Sequence, residues 1–138
     1  MEELNQGHRL RKDQTHKESH SKMQKKSYEK LSKKNKIIWL SGLFDGEGSF
    51  GIWSKGIGKK KSFSATIEMG DEDIIKRFQD MFGGAVWKTK KRQERFRQLW
   101  RWRCVGDRAY DCIDKMIEYM GTRRQEKYHV VKSDILSR

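Results

Sequence analysis

Leu40-Ser41-Gly42-Leu43-Phe44-Asp45-Gly46-Glu47-Gly48 is the stretch whose reading decides the fold. With Ile37 and Ile38 before it, the segment predicts a helix capped by Asn35 or Ser32 and running to about Phe44. Its apolar residues spread around the helix rather than along one stripe, so it should be buried on most sides. Ser41 and Gly42 are small enough to let a second backbone approach closely. Gly46 and Gly48 should then break the helix. Asp45 and Glu47 fall at its C-terminal end, where the macrodipole is partially negative. Each acid there costs a few tenths to ~1 kcal/mol. Such a pair suggests a cation, and oxygen ligands near a phosphate partner suit Mg²⁺. The same spacing fits equally a helix-to-strand turn whose acids only cap and solvate.

Downstream, Ser49–Ser54 alternates like a strand and Lys55–Lys61 reads as a glycine- and lysine-rich turn. Ser62–Met69 then places Phe63, Ala65 and Ile67 on one face and Ser62, Ser64, Thr66 and Glu68 on the other. A helix capped by Asp71 or Asp73 carries Ile74, Ile75, Phe78, Met81 and Phe82 and ends at Gly83-Gly84. A second hairpin follows, with strands at Ala85–Arg92 and Gln98–Val105. In the latter, Trp100, Trp102 and Cys104 alternate with Leu99, Arg101, Arg103 and Val105. Helices at Arg108–Tyr119 and from about Arg124 to Leu136 close the chain. The order is α-β-β-α-β-β-α-α, an α+β class.

The chain has 138 residues, a net charge of +13 and only 34% hydrophobic residues. Residues 1–36 hold 11 Lys/Arg and few large apolar side chains, and read as a flexible basic arm, because so little apolar surface cannot offset the entropy of ordering. Residues 37–138 hold 21 Lys/Arg against 14 Asp/Glu and all five Trp. This globular part therefore carries 21 − 14 = +7. A phosphate backbone is the commonest partner for a small basic domain, with a merely soluble or ribosomal basic protein as the other reading. No apolar run approaches the ~20 residues of a membrane span. Cys104 and Cys112 are too few for a disulfide scaffold and read as reduced, in a protein that is cytoplasmic or organellar and not secreted. His129 stands alone in the domain, which leaves little for histidine-based or zinc chemistry.

The cations concentrate in the hairpins. Lys55, Lys59, Lys60, Lys61, Lys88, Lys90, Lys91, Arg92, Arg95, Arg97, Arg101 and Arg103 have few acids beside them, Glu68 and Glu94 being the exceptions. Solvated sheet faces usually mix signs, so one dominant sign favours a nucleic-acid surface. Hairpin tips would touch phosphates and mid-strand side chains would reach base edges. Trp100 and Trp102 alternate against the arginines and belong to the core. The alternation does not decide Trp53 or Trp87.

The nonapeptide resembles the signature of the LAGLIDADG homing endonucleases, and Ser49-Phe50 continues it in the usual way. The element order, the cationic hairpins and Tyr119-Met120-Gly121-Thr122-Arg123-Arg124-Gln125 resemble the family too, over about residues 33–138. An arm at 1–32 lies outside. The resemblance implies an αββαββα fold with a curved antiparallel four-stranded DNA-binding sheet and helices on its other face. It also implies a homodimer, since one motif is present, with Leu40, Ser41, Gly42, Phe44, Asp45 and Gly46 at the interface between copies. Glu47 would be the metal-binding acid, with Gly46 beside it, and Asp45 a supporting residue. Arg123 would stand where a basic residue, often lysine, supports the scissile phosphate. The family's water-positioning glutamine has no counterpart in Met69-Gly70-Asp71. Ser49, Gly51, Trp53 and Lys55 would face DNA on the first strand, together with Ser64, Thr66 and Glu68 on the second. The expected reaction is Mg²⁺-dependent hydrolysis of both strands of a long, roughly palindromic duplex, with no membrane and no small-molecule substrate. A maturase or regulator that binds without cutting, and a generic basic RNA-binding protein, are the competing classes. The arm would either clamp neighbouring DNA or be a translated linker.

Overall fold

Ser32, not Asn35, caps the first long helix: its hydroxyl oxygen accepts the Asn35 N–H at 3.1 Å, which leaves Asn35 inside α1 (Lys33–Glu47). The computed structural model describes residues 27–54 and 56–136, so most of the arm and Lys55 lie outside the described residues. The chain divides into two units at the Lys36–Ile37 step. Of the first, 27–30 is helical and the start of α1 follows.

In the second unit α1 runs past Phe44 and through Gly46 before the chain turns directly into β1 (Gly48–Ser54). Gly46 stays inside the helix and does not break it as expected; the break falls at Gly48, without a positive φ. Gly48 also serves packing, because a Cβ there would overlap the buried ring of Phe44. β2 (Lys61–Met69) pairs antiparallel with β1, then α2 (Glu72–Phe82) follows. Gly83, with φ of 73°, ends α2. At Gly84 a Cβ would strike the Arg103 carbonyl, so the two glycines end the helix and let the next strand pass close to β4.

β3 (Ala85–Lys88) and β4 (Trp100–Val105) form the second hairpin. The expected strands at Ala85–Arg92 and Gln98–Val105 are therefore cut short. Beyond Lys88 the cations repel one another and there is almost no apolar face to bury, so only Thr89 and Gln98 bridge the gap, through bonds of 2.8–3.2 Å. The sheet order is β1-β2-β4-β3, antiparallel throughout. Helix α3 (Asp107–Met116), a 3₁₀ turn (Ile117–Tyr119) and α4 (Thr122–Leu136) complete the chain.

One sheet face carries Phe50, Phe63, Ala65, Ile67, Trp102 and Cys104, all buried, and α2, α3 and α4 pack against the sheet. A chain of rings organises this core. Phe82 and Phe78 meet Trp102, Phe78 meets Phe44, and Phe44 stacks on Phe50 at 6.4 Å. Phe50 then meets Phe63, which stacks on Tyr110 at 4.2 Å. Each ring pair adds ~0.5–1.5 kcal/mol beyond its buried area, which lets a composition lean in aliphatics hold a fold. Trp102 donates its indole N–H to the Gly83 carbonyl at 2.8 Å, and Tyr128 donates its hydroxyl to Asp114 at 2.6 Å. Burial and the acceptor Asp114 both push the Tyr128 phenol pKa up. Burial would raise Asp114, but bonds from Lys132 and Tyr128 outweigh it and hold the carboxyl below its ordinary value. Cys104 and Cys112 are buried free thiols, and burial pushes the pKa of both up. No helix among the described residues is long and apolar enough to cross a membrane.

Candidate active site and nucleic-acid interface

The sequence leaves open which side of α1 belongs to its own core. Leu40, Ser41 and Phe44 are fully buried within the chain, and the Ser41 hydroxyl donates to the Ile37 carbonyl at 2.6 Å. That removes Leu40, Ser41 and Phe44 from any contact between copies, a correction to the expectation. At 100° per residue the opposite side of the helix carries Ile38, Trp39, Gly42 and Gly46. All four are exposed, with Ile38 at 37% and Trp39 at 38%. Arg77 lies over the Trp39 ring at 4.8 Å. Nothing in the described structure comes within 4 Å of a Cβ built at Gly42 or Gly46. α1 is thus apolar on two sides for two reasons, one side filling the core and one facing outward.

At the C-terminal end of α1, Asp45 is half-buried and Glu47 is exposed. Both Asp45 carboxylate oxygens accept the Gly121 N–H at 3.3 Å, just before α4. A carboxylate at a helix N-terminus is favoured by the dipole it meets there. In return Arg124 donates one Nη2 to the carbonyls of Asp45, at 3.2 Å, and Gly48, at 2.7 Å. Lys127 donates to the Phe50 carbonyl at 2.8 Å, and burial followed by the Arg124 and Arg123 charges pulls its pKa down. The end of α1 and the start of α4 are therefore latched in both directions. This satisfies carbonyls that a helix end otherwise leaves open. Asp45 holds the turn, and Glu47 projects from it with no hydrogen bond or ion pair among the described residues.

Arg123 is exposed in the first turn of α4 and takes no part in the latch. The sequence reading missed Arg124 and Lys127. A signal was available: Arg124, Lys127, Tyr128 and Val131 share one helical stripe that includes the buried Tyr128. Cations on a buried stripe must be paired or hydrogen-bonded.

The other sheet face is the polar one. Ser49, Trp53, Thr66, Glu68, Trp87, Arg101 and Arg103 lie on it by register. Glu68 sits opposite Arg101 and accepts its Nε at 2.8 Å and its Nη2 in a second, shorter contact. Gly51 and Ser64 are paired in register and both buried, because the Trp53 ring leans back to within 3.3 Å of a Cβ position at Gly51. Ser64 Oγ and Arg103 Nε are buried without partners among the described residues. Lys88 departs from the expectation: its register with Trp100 puts it on the side opposite Arg101 and Arg103, and its ammonium lies 5.5 Å from the Trp100 ring. Lys59, Lys60 and Lys61 are exposed at the first hairpin tip, and Lys90, Arg92 and Arg95 on the second loop. After β2, a side chain at Gly70 would overlap the Arg97 guanidinium, which lies 3.5 Å from the Asp71 carboxylate.

This arrangement is similar to that of solved structures. The LAGLIDADG meganuclease I-CpaMI, solved bound to uncleaved DNA, matches with a TM-score of 0.57 and 21% identity over 73% of this chain and 36% of that one. The chain has the LAGLIDADG homing-endonuclease fold. A second LAGLIDADG homing endonuclease, I-GzeII, in complex with its DNA target, matches at TM-score 0.55 and 16% identity over 70% of this chain and 34% of that one. The chain thus spans about a third of the length of these LAGLIDADG structures. Over 48 residues it is 44% identical to the intron-encoded RNA maturase bI4 of Saccharomyces cerevisiae, which covers 35% of this chain and 7% of that protein. No family model matches the sequence. On the LAGLIDADG fold, α1 is the motif helix, Glu47 stands at its open end, and the polar sheet face begins two residues further on, at Ser49.

Proposed function

We propose that this chain is a site-specific DNA endonuclease of the homing type, acting as a homodimer on a long, roughly palindromic duplex wherever that DNA lies, in the cytoplasm or an organelle. The observation that carries the reading is Glu47, an exposed carboxylate held at the end of the motif helix by the Asp45–Arg124 latch. Among the described residues, no three or more His, Cys, Asp or Glu gather into a metal site. One copy offers the Glu47 carboxylate and the Gly46 carbonyl, hard oxygen donors of the kind Mg²⁺ takes, and a second copy would double the set. An ion held by the Glu47 carboxylate and the Gly46 carbonyl would supply an acidified water and would stabilise the departing oxygen. Arg123 faces the phosphate, while Arg101, Arg103, Ser49, Thr66 and the hairpin lysines hold the duplex.

The experiment is selection from a library of randomised palindromic duplexes, followed by cutting of the recovered site in a plasmid with and without Mg²⁺. Cleavage of no site under either condition overturns the nuclease reading.

The dimer reading rests on the exposed Ile38, Trp39, Gly42 and Gly46 side of α1. Gly42→Gln should have two effects of opposite sign. The isolated chain gains about 0.5–1 kcal/mol, because glycine in a helix interior is replaced where no atom obstructs the new side chain. Self-association is lost, because the helices can no longer approach. Sedimentation and thermal melting on one sample check both. Unchanged self-association excludes this side of α1 as the contact.

Glu68→Gln tests the sheet. Removing the one carboxylate paired with Arg101 should raise affinity for duplex DNA roughly threefold, the scale of an exposed ion pair. Binding isotherms over a range of salt check it, and lower affinity would place Glu68 among the base readers.

A second reading is favoured by Gly70-Asp71 lying under Arg97, where the family's glutamine is expected, and by the similarity to the maturase. On that reading the chain binds nucleic acid without cutting, as an intron maturase or regulator. Tight binding to intron RNA with no nicking of any DNA distinguishes it.

A further inference from the structure

We infer that a recess on the polar sheet face, at the corner where β3 and β4 leave the helices, binds an unpaired nucleobase. The recess has a volume of about 630 Å³, and Trp87, Ala85, Arg103, Val105, Ser62 and Arg108 are among the residues that line it. No carboxylate is among its lining residues.

Three features give it this chemistry. Trp87 lies on edge strand β3 and keeps 38% of its surface exposed, although indoles normally bury and share their N–H. Arg103 reaches into the recess from β4, and its Nε is buried with no hydrogen-bond partner among the described residues. Its neighbour two residues back, Arg101, is by contrast engaged by Glu68. Arg108, in the first turn of α3, adds a second guanidinium.

A flat π surface beside an unsatisfied planar donor fits a ligand that is itself flat, carries acceptors at its edge and is attached to an anion. A nucleobase with its phosphate is such a ligand, and stacking on an aromatic ring is sequence-tolerant because every base has a π face. A base inside an intact duplex shows only its edge, its faces being covered by its neighbours. The recess therefore takes a base that has left the stack, at a bulge or distorted step of the bound nucleic acid, while the duplex lies on the open sheet. This rests on the nucleic-acid-binding part of the proposed function and not on cleavage.

The test uses the full chain without Mg²⁺ at low salt, with two DNA hairpins identical except for one bulged 2-aminopurine, and the same pair in RNA. The bulged hairpin should bind about tenfold tighter than its paired counterpart, the scale of one base stacked on an aromatic ring. Its 2-aminopurine emission should fall on binding. Trp87→Leu should bring the affinity ratio close to one and abolish the quench, Arg103→Gln should lower the ratio, and Trp87→Phe should keep most of it. Melting curves of each variant separate loss of the site from loss of the fold. A preference in one backbone or in both supports the inference and identifies where the base comes from. Equal affinity for bulged and paired hairpins, or a preference that survives Trp87→Leu, overturns the inference and leaves the proposed function standing. Failure to bind any hairpin overturns both.

Discussion

Glu47→Gln should leave DNA binding within a few-fold of wild type and reduce Mg²⁺-dependent cleavage about a thousandfold or more, the scale on which an electrostatic contribution to a transition state is lost. The substitution preserves shape and alters only charge. Glu47 is exposed and makes no hydrogen bond or ion pair among the described residues, so the amide removes no structural contact. An amide oxygen is still an oxygen ligand, but it brings no charge to offset the ion's own desolvation. On the proposed function, losing the ion would remove the acidified water and the stabilisation of the leaving oxygen that it would supply. Supercoiled plasmid bearing the selected site reads out nicking and linearisation separately, and a gel-shift titration in Ca²⁺ reads out binding. Equal cleavage by wild type and variant would remove Glu47 from the chemistry. Lost binding would show that it acts on the DNA instead.

The elements that sequence made legible are those with one period and one buried face. β2 alternates over nine residues, and Phe63, Ala65 and Ile67 are buried as that alternation requires. Gly83-Gly84 ends α2 because the backbone there needs positive φ and close approach to β4. Motif helix α1 defeats the same reasoning. Leu40 and Phe44 on one side and Ile38 and Trp39 on the other give no single stripe, so periodicity cannot say which side fills the core of the same chain. β3 is too short for alternation to fix the side of Lys88 or Trp87; only its register with β4 does so. The acid positions Asp45 and Glu47 were legible, and the family resemblance implied their division of labour, but the way Asp45 is held in the turn was not. It depends on Gly121 and Arg124, more than seventy residues away, and no local pattern encodes that contact.

Arg124→Met should destabilise the chain by about 2 kcal/mol, two charge-assisted bonds lost against the relief of a cation at a helix N-terminus. For a domain of this size that lowers Tm by roughly 10 °C. An arginine in the first turn of α4 opposes the helix dipole, so its position calls for a gain elsewhere, and the carbonyls of Asp45 and Gly48 provide it. Without the guanidinium those carbonyls lose their donor, and of the latch around the turn that carries Glu47 only the Asp45 contact to Gly121 and the Lys127 bond to the Phe50 carbonyl remain. Cleavage should therefore fall together with stability, and a higher Mg²⁺ concentration should be needed for half-maximal rate. Arg123→Met makes the contrast. Arg123 is exposed and outside the latch, so its Tm should stay within a degree or two, the range of a surface change. Any loss of cleavage in Arg123→Met then belongs to the phosphate and not to the turn. Arg124→Lys sharpens the test, since one ammonium supplies charge but lacks the planar fork that spans two carbonyls. It should recover part of the stability and less of the metal response. If Arg124→Met melts like wild type, the latch does not hold the motif turn. If Arg123→Met melts as low as Arg124→Met, the two arginines share one structural role and the assignment of Arg123 to the phosphate fails.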